Sequence, residues 1–210
     1  MSRVERSALR EASRFGPEYY RRYYFDPRTA VASTSQTRAR AKLIIAFADY
    51  LGVPVRSILD AGCGVGRLKA PLIARYPGAT YVGLDVSEYL CRRYGWVQSR
   101  IEDYRPLAPF DLVICYDVLQ YLDDRAATRA LANLARLGRA LLYFSALTRA
   151  DARDNCDRRR TDLDVESRAG EWYRSRLRRG FRELGGGFWL RRGAPFALWE
   201  LERVALRAGA

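Results

Sequence analysis

Ile58-Leu59-Asp60-Ala61-Gly62-Cys63-Gly64-Val65-Gly66-Arg67 is the stretch on which the reading of this chain turns. An apolar run ends in an acid, and glycines then stand at 62, 64 and 66 just ahead of a helical pattern. Alternating glycines let the backbone turn tightly after a strand and let a ligand lie against bare main chain. The dinucleotide-binding fingerprint G-x-G-x-x-G would put its third glycine where Arg67 stands. The spacing here is D-x-G-x-G-x-G, with the Asp60 carboxylate at the strand tip, which suits a cationic ligand better than a phosphate. A turn chosen for packing alone is the competing reading, and the next acid weakens it. Tyr81-Val82-Gly83-Leu84-Asp85 is a second strand-like run ending in an acid, 25 residues after Asp60. A neighbouring parallel strand delivers a carboxylate there to the paired hydroxyls of a ribose.

Outward from this centre, apolar runs alternate with helical patterns. Strands are predicted at Val55–Leu59, Thr80–Leu84, Phe110–Cys115 and Ala140–Phe144, and helices at Thr34–Leu51, Arg67–Tyr76, Ser87–Tyr94 and Asp123–Leu137. Strands that are apolar throughout, each followed by a helix, imply a parallel sheet covered on both faces. After Phe144 comes a charge-dense segment, 148–180, helical again around Glu171–Arg179. Two strand-like runs, Phe188–Leu190 and Phe196–Leu201, predict a closing antiparallel hairpin through Arg191–Pro195.

The chain resembles the class I S-adenosylmethionine-dependent methyltransferases over about residues 38–145. ILDAGCGVGR is similar to the family's glycine-rich first motif and YVGLDVSEYL to its acidic second; SRIEDYRP is similar to the adenine-binding segment and FDLVICYDVLQYLDD to the fourth-strand motif. The resemblance implies an α/β fold: a Rossmann-like, seven-stranded, mostly parallel sheet with helices on both faces and an antiparallel C-terminal hairpin. It implies S-adenosyl-L-methionine as cofactor, with Asp60, Gly62, Cys63 and Gly64 at its methionine end and Asp85 and Val86 at the ribose. Arg100, Ile101 and Glu102 fall at the adenine, the Ile101 N–H facing the ring. Arg100 stands where many relatives carry an acid for the adenine amino group, with Glu102 or Asp103 as substitutes. The strand exit Cys115-Tyr116-Asp117 would line the methionine and the methyl-transfer position, with Tyr116 and Asp117 as the catalytic candidates. Gln120 and Tyr121 fall where relatives face the acceptor.

Residues 1–37 form an aromatic-rich lead. Tyr19, Tyr20, Tyr23 and Tyr24 share one helical face, which packs on the core or serves as a lid, with Tyr20 and Tyr24 toward the acceptor. The resulting division is a lid at 1–37 and a methyltransferase domain at 38–210, within which 148–180 is an acceptor-side insertion.

Composition narrows the chemistry. There is no histidine, so imidazole catalysis is excluded, and candidate bases are Asp117, Glu18 or a tyrosinate near Tyr116. Four widely spaced cysteines without histidine predict no metal site; Cys115, inside an apolar strand, reads as a buried thiol. The 210 residues are 49% hydrophobic, enough for a core. The longest unbroken apolar run, Leu43–Ala48, is six residues, far short of the ~20 a membrane helix needs. No apolar leader follows Met1, and a cytoplasmic protein is expected. The net charge of +13 invites an anionic partner. Only two of the 37 basic residues are lysines, however, and the arginines are spread along the chain.

The expected activity is methyl transfer to a small-molecule acceptor, with weak, non-specific nucleic-acid binding from the charge. An RNA or ribosome-associated methyltransferase and a catalytically silent cofactor-binding partner protein are the alternatives. Acceptor identity and oligomeric state are not legible.

Overall fold

The computed structural model describes residues 14–199. Seven strands form one sheet: β1 Ser57–Ala61, β2 Thr80–Asp85, β3 Val97–Gln98, β4 Phe110–Tyr116, β5 Gly138–Ser145, β6 Phe181–Gly185 and β7 Phe188–Arg191. Their order is β3-β2-β1-β4-β5-β7-β6. β1 to β5 are mutually parallel, while β7 pairs antiparallel with both β5 and β6. The helices are α1 Pro17–Tyr20, running into a π-helical turn Arg21–Phe25, then α2 Thr34–Tyr50, α3 Lys69–Arg75 and α4 Glu88–Tyr94. After them come α5 Asp124–Leu137, α6 Arg149–Asp154 and α7 Gly170–Leu177.

Burial explains why the strands read as continuous apolar runs. In β4, Val113 and Cys115 join one core with Leu59 of β1, Leu131 and Leu134 of α5 and Leu177 of α7. Leu112 and Ile114 point the other way, into a core with Ile58, Ile44 of α2 and Leu72 of α3. Alternate side chains of one strand thus feed two cores, and neither face has room for polar residues.

Local signals set the helix ends. The Ser33 hydroxyl accepts from Gln36 N–H at 3.1 Å and the Gln36 amide oxygen from Ser33 N–H at 2.8 Å, a reciprocal cap for α2. Ser87 caps α4 and Asp123 caps α5. Asp117 caps neither the short turn nor the helix after β4, whose caps are Val118 and Asp123.

Asp111 ties the strand starts together. It accepts from the N–H groups of Arg56 and Ser57, each at 2.9 Å, and from Arg139 Nε at 2.6 Å. Burial alone would raise its pKa; these donors prevail and hold it below the usual carboxylate range.

The hairpin differs from its sequence reading. Its strands are Phe181–Gly185 and Phe188–Arg191, and the turn is Gly185-Gly186-Gly187. All three glycines have positive φ, from +58° to +87°. Residues 194–199 form no strand, and the rest of the run ending at Leu201 lies outside the described residues. Phe181-Arg182-Glu183 was obscured because an edge strand is half solvated and carries charge.

Candidate cofactor and acceptor site

Two cavities meet at the C-terminal ends of β1, β2 and β4. The first encloses about 700 Å³ and the second about 1760 Å³, open solvent at their mouths included. They share Tyr19, Tyr24, Gly62, Asp117 and Tyr121, so these residues form the boundary between them.

The glycine loop floors the first cavity. Gly62 and Cys63 donate their N–H groups to Leu84 O at 2.7 and 3.0 Å, binding the loop to the end of β2. Gly62 has φ +77°, and a Cβ there would lie 2.2 Å from Val118 Cγ2. Backbone conformation and space both demand glycine. Gly64 N–H donates to Asp85 Oδ2 at 2.9 Å, and Ser87 N–H donates to Asp85 Oδ1 at 2.9 Å. Each Asp85 oxygen retains a lone pair for a ligand hydroxyl.

Three buried acids, Asp60, Asp85 and Glu102, and the half-buried Asp117 border the two cavities. Burial pushes the pKa of each upward. Asp60 rises to about 6, although the Tyr81 hydroxyl donates to it at 2.6 Å; the neighbouring Asp85 charge adds to the rise. Both oxygens of Glu102 are buried without a hydrogen-bond partner. Such a set of desolvated carboxylates is stabilised by a ligand that brings positive charge and hydrogen-bond donors. S-adenosylmethionine fits: it carries an ammonium, a sulfonium, a ribose diol and an amino group. Bare backbone at Gly62 and Gly64 lets it lie close.

Of the residues singled out in the sequence, Gly62, Gly64, Asp85, Val86, Arg100, Ile101 and Glu102 line the first cavity. Asp60 and Cys63 line the second, as do Tyr116 and Gln120. Tyr20 lines the first, while Tyr24, Asp117 and Tyr121 line both. Cys115 lines neither; it is fully buried in the apolar core. Glu102 rather than the exposed Asp103 is the acid turned into the site. Glu18 lines neither cavity and pairs on the surface with Arg21. It is removed from the candidate bases. Burial also raises the phenols of Tyr19, Tyr20, Tyr24, Tyr116 and Tyr121, which leaves Asp117 as the carboxylate at the junction. Asp117 is the one non-glycine residue with positive φ (+56°) among those described, a strained tip to β4.

The aromatic lead lies across both mouths. Ser87 Oγ donates to Phe15 O at 2.6 Å, and the Tyr19 and Tyr121 hydroxyls are 2.9 Å apart. Arg67 reaches back from the glycine loop to donate to Ala32 O at 2.8 Å and to Tyr24 O. The charged segment grips it from the other side, with Arg14 paired to Asp162 at 3.0 Å and Arg160 donating to Pro27 O at 3.1 Å.

Sequence reasoning missed three residues here. Trp96 Nε1–H donates to Gly64 O at 2.9 Å, Tyr81 holds Asp60, and Arg40 of α2 lines the second cavity. Trp96 and Arg40 belong to no spaced motif, and Tyr81 opens the second acidic run without any sign there that it holds Asp60. Arg40 is one arginine among dozens.

Sheet order, glycine loop and paired strand-tip acids define a Rossmann-like nucleotide-binding α/β protein. Residues 59–140 match a family model described as a methyltransferase domain. Those residues and the sheet order around them are similar to the class I S-adenosylmethionine-dependent methyltransferases.

Over 77 residues the chain is 35% identical to trans-aconitate 2-methyltransferase of an Azoarcus species, covering 33% of this chain and 30% of that one. Over 115 residues it is 32% identical to the ubiquinone biosynthesis O-methyltransferase of Hahella chejuensis, covering 48% and 47%. The chain thus spans less than half the length of these curated relatives. Its fold is similar to that of magnesium protoporphyrin IX methyltransferase from Synechocystis, solved with bound S-adenosylhomocysteine, at a TM-score of 0.61 and 19% identity, covering 87% and 99%. Among the described residues, no helix is long and apolar enough to cross a membrane.

Proposed function

We propose that this protein transfers a methyl group from S-adenosylmethionine to a small-molecule acceptor. The observation that carries this reading is the junction at Gly62 and Asp117. There a cradle of glycine and half-buried carboxylate opens into a larger cavity with room for a second substrate. The names of the curated relatives, small-molecule methyltransferases, point the same way.

In this reading Asp60, Gly62 and Cys63 hold the amino-acid end of the cofactor. Asp85 and Val86 take the ribose, and Arg100, Ile101 and Glu102 hold the adenine. The Glu102 oxygens, which have no hydrogen-bond partner and only distant ion pairs to Arg100 and Arg129, accept from its amino group. When bound, the cofactor supplies an activated methyl group on a sulfonium. The protein aligns the acceptor with that methyl and excludes water. Tyr20 and Tyr24 close the mouth as part of a lid, the described part of which is residues 14–37. Tyr116, Gln120, Tyr121 and segment 148–180 shape the acceptor side. Asp117 sits at the junction and takes the proton from any acceptor that must lose one.

S-adenosylhomocysteine should raise the melting temperature by mass action, and NADH should not. Tritiated methyl from S-adenosylmethionine should then enter a small-molecule fraction. A melting shift with NADH and none with either sulfur compound overturns the reading. Labelling confined to one RNA species overturns its acceptor class.

A further inference from the structure

Trp96 lines neither cavity, yet it packs behind the loop that floors the first one. Its half-buried indole lies against both the glycine loop and β2. A Cβ at Gly66 would come within 2.5 Å of Trp96 Cζ2, and a Cβ at Gly83 within 2.6 Å of Trp96 Cε3. Gly66 needs glycine for its backbone as well, at φ +69°. Gly83 does not: it stands inside β2 and is not among the glycines of positive φ. Glycine in a strand interior forfeits side-chain packing and often marks a close approach. What approaches Gly83 is Trp96. Lys69 Nζ, 5.0 Å from the ring centre, and Tyr94, stacked at 5.7 Å, also pack on the indole.

The indole makes one directed contact. Its Nε1–H donates to Gly64 O at 2.9 Å, while Gly64 N–H donates to Asp85 Oδ2 at 2.9 Å. Gly64 is thus held at both of its peptide groups. Glycine has the widest choice of φ and ψ, so a single anchor would leave it free to turn. With both in place Gly64 keeps φ +54°, and its N–H stays aimed at Asp85. That donor on Oδ2 and Ser87 N–H on Oδ1 together set the plane of the carboxylate. The direction in which Asp85 offers its remaining lone pairs therefore traces back to Trp96.

We propose that Trp96 is a positioning residue for the cofactor: through Gly64 it orients Asp85, and so sets how strongly the site prefers a ribose that carries its hydroxyls. The proposal rests on the methyltransferase reading of the site and adds to it a residue that lines neither cavity. Losing the indole N–H removes no ligand contact directly. It frees the peptide after Gly64, so the cost falls on the hydroxyls that Asp85 reads, not on the adenine or the amino-acid end.

The test measures by calorimetry the affinity of the full chain for two ligands, S-adenosylhomocysteine and its analogue lacking both ribose hydroxyls. The parent should prefer the first about ten- to a hundredfold, the scale of hydrogen bonds to a charged group. Trp96→Phe keeps an aromatic ring and loses the N–H. It should bind S-adenosylhomocysteine about three- to tenfold more weakly, the scale of one neutral hydrogen bond, with affinity for the analogue nearly unchanged. Benzothienylalanine at position 96, the tryptophan isostere with sulfur in place of the N–H, keeps the packing and should give the same result even where Trp96→Phe fails to fold. An indole that only fills space would weaken both ligands by the same factor; that outcome, or two unchanged affinities, overturns the proposal. So does a parent that binds both ligands equally, which removes Asp85 from the ribose. If S-adenosylhomocysteine fails to bind the parent at all, the methyltransferase reading falls first and takes the proposal with it.

Discussion

Gly64 N–H and Asp85 Oδ2 lie 2.9 Å apart, joining the glycine loop after β1 to the acid that ends β2. The contact spans 21 residues of sequence and fixes the Asp85 carboxylate at the floor of the first cavity. Trp96 holds the same glycine by its carbonyl, so the peptide plane on either side of Gly64 is set. Asp85→Ala should weaken S-adenosylhomocysteine binding by about 1.5–3 kcal/mol, the range for hydrogen bonds to a charged group. Calorimetry at pH 7 measures it. An affinity unchanged within error would remove Asp85 from the ribose site.

Asp60 predicts a pH dependence. Its folded pKa is raised to about 6 against an ordinary value of 3.8, so the unliganded fold holds a proton that the unfolded chain releases. Its contribution to stability is complete below the unfolded value and is lost as pH rises through about 6. The ligand ammonium, by contrast, needs the ionised form. Affinity for S-adenosylhomocysteine should therefore fall as pH drops below 6, approaching about tenfold per unit. In Asp60→Asn that slope should vanish while the unliganded protein melts no lower at pH 7. A profile with the same slope in both proteins contradicts this role.

Arg67 fastens the aromatic lead to the glycine loop. Arg67→Ala removes two charge-assisted bonds to backbone carbonyls, which should loosen residues 20–32 by about 1–2 kcal/mol. Hydrogen exchange across 15–32 should slow when S-adenosylhomocysteine binds the parent and should stay faster in the variant. The ligand should also dissociate sooner from Arg67→Ala. Exchange insensitive to ligand in both proteins means that the segment packs without gating.

Charge yields a prediction about RNA. Many arginines are tied up locally: Arg153 pairs with Asp154, Arg139 with Asp111, and Arg178 with Glu171 and Glu183. A continuous phosphate-binding track is not expected. Filter binding should give Kd values of ~10⁻⁴–10⁻⁶ M near physiological salt, weakening as salt rises. Binding that stays tight at 300 mM salt, about twice the physiological level, would point to a specific nucleic-acid site.

The strands that carry the site were legible because both faces of each are buried, and their apolar runs could not be solvent-facing. Glycines at 62, 64 and 66 followed by Asp85 were legible because the main chain itself must turn there. β3 was not, being two exposed residues, Val97 and Gln98, held by pairing with β2. The hairpin was displaced by one strand because Arg182 and Glu183 masked an edge, and the glycine triplet read as a break rather than a turn.

The lead was visible as aromatic but ambiguous. Whether Tyr24 packs on a core or roofs a cavity depends on Arg67, 43 residues away. Arg40 and Trp96 gave no sign at all.

Sequence alone determined the order of elements, the turn that needs glycine and the two acids at strand tips. These depend on local conformation and on burial period, which neighbours in the chain encode. Tertiary structure decided which acid turns into the first cavity, Glu102 rather than Asp103, and which segment lies across its mouth. Those outcomes depend on desolvation and on competing partners, and both are set by residues far apart in sequence and brought together by the sheet.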